Sequence, residues 1–355
     1  MNKKDIMSYD LNELTEELER AGEKKFRAKQ VYKWLHVKGA ASFDAMTDLS
    51  KELRDSLNES FIIMNLKTAD VKTSTSDGTK KFLFALDDGN VIESVYMKYR
   101  DWNSVCISSQ VGCRMGCKFC ASTIDGCVRS LSASEMLGEV YAIGRETGSR
   151  ISNVVVMGSG EPLDNFDNLL KFIKMISDEN GLNVSQRNIT VSTCGIVPGI
   201  YKLAEEHLQI NLALSLHAAT DDKRKKIMPI AMKYPLGSVI KACSDYFDAT
   251  GRRLTFEYAL IEGINDKQED IDEIVRLIGK LNCYVNIIPV NPVTERDFKR
   301  PDRQAALRFK NKLEKMGINV SIRRELGSDI DGACGQLRRK YVSGDSNEKE
   351  KEVKC

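Results

Sequence analysis

Along this chain the spacing of apolar positions changes character near residue 100. Before that point it is mostly helical. In "FRAKQVYKWL", Phe26, Val31, Trp34 and Leu35 fall roughly on one helical face. In "DLSKELRDSL", Leu49, Leu53 and Leu57 recur at i, i+4 and i+8. "TKKFLFALDDGNVIESVYM" then predicts two strands around the turn Asp87-Asp88-Gly89-Asn90. From Ser104 onward, strand-like runs alternate with helical stretches: "SVCISS", "NVVVMG", "NITVST", "INLALSL", "LTFEYALI", "YVNIIPV" and a short "NVSIR". Ser132-x-x-Glu135 predicts a capping box that opens a helix over 134–147. Another helix is predicted over about 302–316, with Ala305, Ala306, Phe309 and Leu313 on one face and Gly317 as its stop.

Six or seven successive βα units imply a parallel sheet covered by helices, open or curled into a partial barrel. The chain then divides into a small accessory region over 1–95, helical with a short β hairpin, an α/β body over 96–342, and a tail over 343–355. That tail, "SGDSNEKEKEVKC", is nearly devoid of apolar residues and is expected to be disordered, with an inert Cys355. Function in parallel α/β folds gathers where strands end. The residues that stand out there are the cysteine loop after the first strand, "GSGEP" after the second, "STCG" after the third, "SLH" after the fourth and "NP" after the sixth.

Hydrophobic content of 42% and charged content of 29% are those of an ordinary globular protein. No apolar run reaches membrane-spanning length, and the N-terminus lacks a signal-peptide core, so a cytoplasmic protein with no membrane contact is expected. In that reducing compartment ten cysteines point to metal or redox chemistry rather than structural disulfides. The net charge of +2 says little about partners. Basic clusters at Lys24–Lys29, Lys223–Lys226, Arg323–Arg324 and Arg338–Lys340 read as phosphate contacts or as solvated faces.

"CRMGCKFC" places Cys113, Cys117 and Cys120 at C-x3-C-x2-C spacing. A structural zinc site wants four protein ligands, usually as two C-x2-C pairs, and the chain has neither a second pair nor more than three histidines. A four-iron cluster held by three thiolates leaves one iron open to a small molecule.

These residues carry a resemblance. A C-x3-C-x2-C loop after the first of several βα units resembles the radical S-adenosylmethionine (SAM) superfamily. "SSQVGCRMGCKFC", "GSGEPLDN", "STCGIVPG", "SLHAATDDKRKKIMPI", "IPVNP" and "DIDGACGQL" stand in the order seen in the RlmN family, adenine-C2 methyltransferases acting on 23S rRNA and tRNA. "FRAKQVYKWLH" and "FDAMTDLSKELRDSL" extend the similarity over nearly the whole chain. The resemblance implies a partial (β/α)6 TIM-like radical SAM barrel behind a small N-terminal helical, RNA-binding domain. It implies that Cys113, Cys117 and Cys120 ligate one [4Fe-4S] cluster, with SAM completing it and two SAM molecules consumed per turnover. Gly160, Glu161, Ser192, Ser215, Leu216, His217 and Asn291 match SAM-binding positions.

By the same similarity Cys334 is methylated and becomes the methylene donor, Cys106 is its redox partner through a transient disulfide, and Glu93 is the proton acceptor. An external donor of the flavodoxin or ferredoxin kind is implied, and a monomer is expected. Ser159, Cys194 and Cys127 depart from the residues usual at their positions, which leaves the roles of the two cysteines open; Cys243 and Cys283 read as structural. The related Cfr group, which methylates adenine C8, shares every one of these motifs. A nonenzymatic zinc-dependent RNA-binding protein is the rival from another class.

Overall fold

The computed structural model describes residues 3–291, 296–327, 329–330, 337–338 and 341. Cys334 and the tail therefore lie outside the described residues.

The N-terminal part is a short parallel pairing of β1 (Lys4–Asp5) with β2 (Phe61–Ile62), which brackets the helices α1 (Leu11–Arg20), α2 (Lys25–His36) and α3 (Lys51–Ser60). Asp10 caps α1 in a reciprocal box with Glu13, so free N–H groups of the first turn are satisfied. On α3, Leu53 and Leu57 are buried as the spacing predicts. On α2 the buried stripe is Ala28, Val31, Tyr32, Leu35 and His36, and Phe26 is instead 52% exposed. A step of five residues from Phe26 to Val31 turns the helix by far more than one face, so Phe26 leaves the core.

Strands β3 (Lys67–Thr73), β4 (Lys80–Ala85) and β5 (Val91–Lys98) form an antiparallel meander that adds a third strand to the expected hairpin. Strand β6 (Asn103–Ile107) pairs antiparallel with β5. Strands β7 (Gln110–Gly112) and β8 (Cys127–Ser130) pair separately as a clamp. Then β9 (Asn153–Val156), β10 (Ile189–Thr193), β11 (Asn211–Ser215), β12 (Leu254–Leu260), β13 (Cys283–Pro289) and β14 (Val320–Ile322) follow in parallel from β6. Among the described residues this gives one sheet of ten strands, with the meander at one edge and β14 at the other. Each expected strand is found.

Helices α4 (Ala133–Thr147), α5 (Phe166–Ile176), α6 (Val197–Glu205), α7 (Asp221–Ile227), α8 (Leu236–Thr250), α9 (Gln268–Ile278) and α10 (Arg303–Lys315) connect the parallel strands. The Ser132/Glu135 box caps α4. Asp302 caps α10, and Gly317, at φ +84°, follows its end. Alternate strand residues join a single core beneath the helices. On β6, Val105 and Ile107 do so, which leaves Cys106, 3% exposed, on the opposite, inner face. No described helix is long and apolar enough to cross a membrane.

Candidate active site

The three cysteines sit on the loop that the β7–β8 clamp closes. Cys113 N–H donates to Gly126 O at 2.8 Å, and Gly112, at φ +79°, meets Gly126 so closely that a Cβ there would lie 2.1 Å from its carbonyl oxygen. Thr123 Oγ1 donates to the carbonyls of both Cys117 and Cys120 at 2.9 Å, and Lys118 N–H donates to Ile227 O at 2.9 Å. The loop is thus tied at its base, at its middle and to α7. Cys113 and Cys117 are buried and Cys120 is half-buried.

Burial pushes the Cys113 thiol up to about 12, and burial together with its two neighbours raises Cys117 further. Such thiols stay protonated unless a positive charge arrives, which a bound iron centre supplies. Among the described residues no three His, Cys, Asp or Glu side chains converge as one mononuclear ion would need. Three thiols at this spacing can hold three irons of a four-iron cluster and leave the fourth open, whereas a structural zinc site is closed by four protein ligands. The donor set fits the [4Fe-4S] group that the resemblance implies.

The strand after α4 delivers "GSGEP" against the end of β6. At Gly158 a Cβ would lie 2.6 Å from Ile107 O, and at Gly160, φ +109°, 2.6 Å from Ser109 Oγ. Only glycine allows that approach. It positions Glu161, which is 3% exposed. Its Oε2 accepts from Cys194 N–H at 2.7 Å and its Oε1 from Leu163 N–H at 3.1 Å. Burial raises the Glu161 carboxyl above its ordinary range, offset in part by those donors, so an incoming ammonium would find a fixed acceptor.

Ser192 and Ser215 end adjacent strands, with their hydroxyls 3.5 Å apart. The N–H groups of Leu216 and His217 both donate to Glu257 O, and His217 takes a left-handed φ of +53°. Its Nδ1 accepts from Ala259 N–H at 2.8 Å, so the neutral ring carries its proton on Nε2. Burial, then the Arg224 charge, lowers its pKa to about 3. The Phe119 ring of the cysteine loop packs edge-on against His217, 4.8 Å between centroids, which joins the loop to "SLH". Asn291 follows β13 at the same end of the sheet and is exposed.

Glu93 reaches this end from the meander. The register sets Val95 against Cys106, and Ser108 Oγ donates to Glu93 O at 2.8 Å. The Glu93 carboxylate, 6% exposed, faces the fully buried Lys81 ammonium at 3.2 Å and also accepts from Arg338 N–H.

Sequence reasoning missed Lys81, Phe119 and Arg224. Arg224 belongs by sequence to the Lys223–Lys226 basic cluster, but it is 0% exposed, and Lys223 is paired with Glu269 and Asp270. Only Lys225 and Lys226 of that cluster face outward. A charge within a run carries no sign of its burial, so only the fold separates these residues. Cys194 is buried beside Cys117, Cys127 is half-buried on β8, and Cys243 and Cys283 are buried in α8 and at the start of β13.

Comparison with known proteins agrees with this geometry. Residues 4–63 match the family model of the ribosomal RNA large subunit methyltransferase N-terminal domain, and residues 107–278 match that of the radical SAM superfamily. A protein of Lachnospira eligens named probable dual-specificity RNA methyltransferase RlmN is 57% identical over 338 residues, covering 95% of this chain and 97% of its own. One of the same name from Clostridium novyi is 50% identical, covering 96% and 99%. The crystal structure of a radical SAM methyltransferase from Sphaerobacter thermophilus superposes with a TM-score of 0.89 at 42% identity, over 94% of this chain and 98% of that one.

Proposed function

The chain belongs to the RlmN family of radical SAM enzymes, and on that premise we propose that it methylates carbon 2 of adenine in 23S rRNA and tRNA. The observation that carries the reading is the clamped three-thiol loop facing Glu161 and His217 at one end of the parallel sheet. When bound, the [4Fe-4S] cluster supplies an electron and SAM supplies both the methyl group and the radical that activates it.

The chain's own residues divide the remaining work. Cys113, Cys117 and Cys120 hold the cluster; Gly160, Glu161, Ser192, Ser215, Leu216, His217 and Asn291 hold and orient SAM. Adenine C2 is electron-poor and does not attack a methyl group directly, so a covalent carrier is needed. The Cys334 thiol takes that role. Once its sulfur-bound carbon is joined to C2, Glu93 accepts the C2 proton. The Cys106 thiol gives up its proton and attacks the Cys334 sulfur; the carbon–sulfur bond breaks, the freed carbon takes a proton to become the methyl group, the surplus electron of the adduct would return to the cluster, and a disulfide is left that a two-electron reductant must open. The register between Cys106 and Val95, with Glu93 two residues further along β5, supports placing the thiol and the base on neighbouring strands.

RNA contact is assigned to the accessory region. At the start of α2 the exposed Phe26 stands among exposed Lys24, Lys25 and Lys29, and the Arg27 guanidinium lies 4.9 Å from its ring centre. An aromatic face among cations suits an unpaired base and its phosphates. The enzyme works as a cytoplasmic monomer served by a donor of the flavodoxin or ferredoxin class.

The test is methylation of unmodified 23S rRNA and tRNA by anaerobically reconstituted protein, with the nucleoside identified by mass spectrometry and NMR. 2-Methyladenosine is expected from both RNAs. 8-Methyladenosine would move the protein to the Cfr-type reaction, and zinc in place of iron and sulfide would sink the enzymatic reading.

A further inference from the structure

Among the described residues Arg224 is the largest side chain that is fully buried. Its Nε donates to Leu216 O at 3.1 Å, and its Nη2 donates to Cys194 O at 2.7 Å and Ser215 O at 3.1 Å. All three acceptors are neutral carbonyls at the ends of β10 and β11. No carboxylate among the described residues lies within ion-pair distance of the guanidinium, and Nη1 is buried with no hydrogen-bond partner. A buried cation with an idle N–H is costly, and a fold keeps one only where something anionic repays it.

The surroundings identify that anion. Cys194, whose carbonyl Arg224 holds, packs in one buried cluster with Cys117, Ile227 and Met228. The hydrogen bond from Lys118 N–H to Ile227 O fixes the cysteine loop against the helix that carries Arg224. Burial lowers the guanidinium's pKa, and the neighbouring Cys194 and Cys117 act in the opposite direction. Of the carboxylates around it, Asp221 of the same helix adds to that opposing effect but makes no ion pair with Arg224 and accepts from Leu236 N–H at 2.8 Å, and Glu161 has both oxygens engaged by backbone N–H groups.

We propose that Arg224 is the counter-charge of the three-thiolate centre: held by strand-end carbonyls, it offsets the negative charge that the cluster site carries and gains on reduction. The inference rests on the reading of Cys113, Cys117 and Cys120 as cluster ligands. A fixed positive charge stabilises the reduced state more than the oxidised one, because reduction adds one negative charge close by. Arg224 therefore acts as a positioning residue for the strand ends and as an electrostatic one for the cluster.

The experiment compares the wild type with Arg224→Gln and Arg224→Lys, all reconstituted anaerobically, by redox titration followed by electron paramagnetic resonance. Iron and sulfide content and the melting of apo and holo protein are read in parallel. If the wild type holds no cluster, the reading of the cysteines fails before the role of Arg224 is in question. Arg224→Gln should move the midpoint to more negative values, cutting the ratio of reduced to oxidised cluster about tenfold at a fixed potential, which is about 59 mV for one electron. Arg224→Lys, which keeps the charge, should stay near the wild type. The gain in melting temperature from apo to holo should shrink in Arg224→Gln, while its apo form melts no lower than wild-type apo protein.

A Gln variant that takes up no cluster but keeps a wild-type apo melt also supports the counter-charge. Unchanged midpoints in both variants would overturn it, as would an apo Gln variant that loses as much stability as the holo form, since Arg224 would then be a tether alone. An unchanged midpoint with weakened SAM binding would also overturn it, and would assign the guanidinium to the carboxylate of SAM instead.

Discussion

The cysteine loop and the β4–β5 ribbon both bring chemistry to the same end of the sheet, by opposite routes. The loop is local: its thiols lie within eight residues, and its shape depends on a short clamp and on glycines where a side chain would collide. The ribbon is assembled at long range. Lys81 and Glu93 sit diagonally across two antiparallel strands, and Glu93 also accepts from Arg338, 245 residues away. The thiols await a metal centre, whereas the ribbon's carboxylate already faces the Lys81 ammonium at 3.2 Å. Losing a ligand should therefore abolish a function and spare the fold; losing Lys81 should strike the fold itself.

The largest expected effect falls where the two regions meet, on β6. On the proposed roles Cys334→Ala removes the methyl carrier, so neither product nor RNA–protein adduct should form. Cys106→Ala should still join the carrier to the base but lack the thiol that frees it. RNA should then remain covalently attached through denaturation, and mass spectrometry should map the bond to Cys334. Normal turnover by Cys106→Ala, or an adduct on Cys127 or Cys194, would merge the roles kept apart here.

The next effect is on stability. Lys81→Met takes the Lys81 cation from the buried Glu93 carboxylate and should cost about 3–5 kcal/mol in urea unfolding of the apo-protein, the usual loss when one member of a buried pair is removed. Adding Glu93→Gln should recover much of that loss. Cys117→Ala should change the same measurement by far less while abolishing cluster uptake, and similar losses in both variants would erase the contrast between loop and ribbon.

How much of this could be read from residues alone follows the same division. The cysteine loop and "GSGEP" are contiguous, and their chemistry shows as spacing. The strands of the barrel were legible because each is a short apolar run between helices with clear caps, such as Ser132 and Asp302. Lys81 was not legible, because its significance depends on which strand lies beside β4 and in what register. Arg224 and Phe26 failed in complementary ways. A cation in a basic run reads as solvated and is buried; an aromatic near an apolar stripe reads as core and is exposed. In each case a helix's rotation against its neighbours decides, and that is a property of packing.

The smallest effect concerns the contact between the accessory helices and the barrel. His36 on α2 is 2% exposed and hydrogen-bonded through Nδ1 to the Tyr141 hydroxyl of α4 at 2.8 Å. Burial lowers its pKa to about 4, against an ordinary value of 6.5. The neutral ring is the native form, so its contribution is fully present above pH 6.5 and drains away as the pH falls toward 4. Between pH 7 and pH 5 this group alone should account for about 2 kcal/mol of lost stability. His36→Phe should flatten the acid side of the stability profile by about that amount, and an identical slope in variant and wild type would remove His36 as its source.

The order of strands in the sheet has a consequence for how the molecule is made. Apart from the β1–β2 pair and the β7–β8 clamp, each strand is laid beside the one that precedes it in the chain, from the meander at one edge to β14 at the other. A chain leaving the ribosome can therefore build its barrel in step with synthesis, every new strand finding an edge already waiting. The exception is the final stretch, where Leu337 packs on Leu83 and Val91 and Arg338 binds Glu93, back at the edge that was made first. That return cannot happen until translation has passed residue 338. A nascent chain could thus own its parallel strands and its cysteine loop while Glu93 still lacks its contact with Arg338, so this edge of the site is the last to be completed.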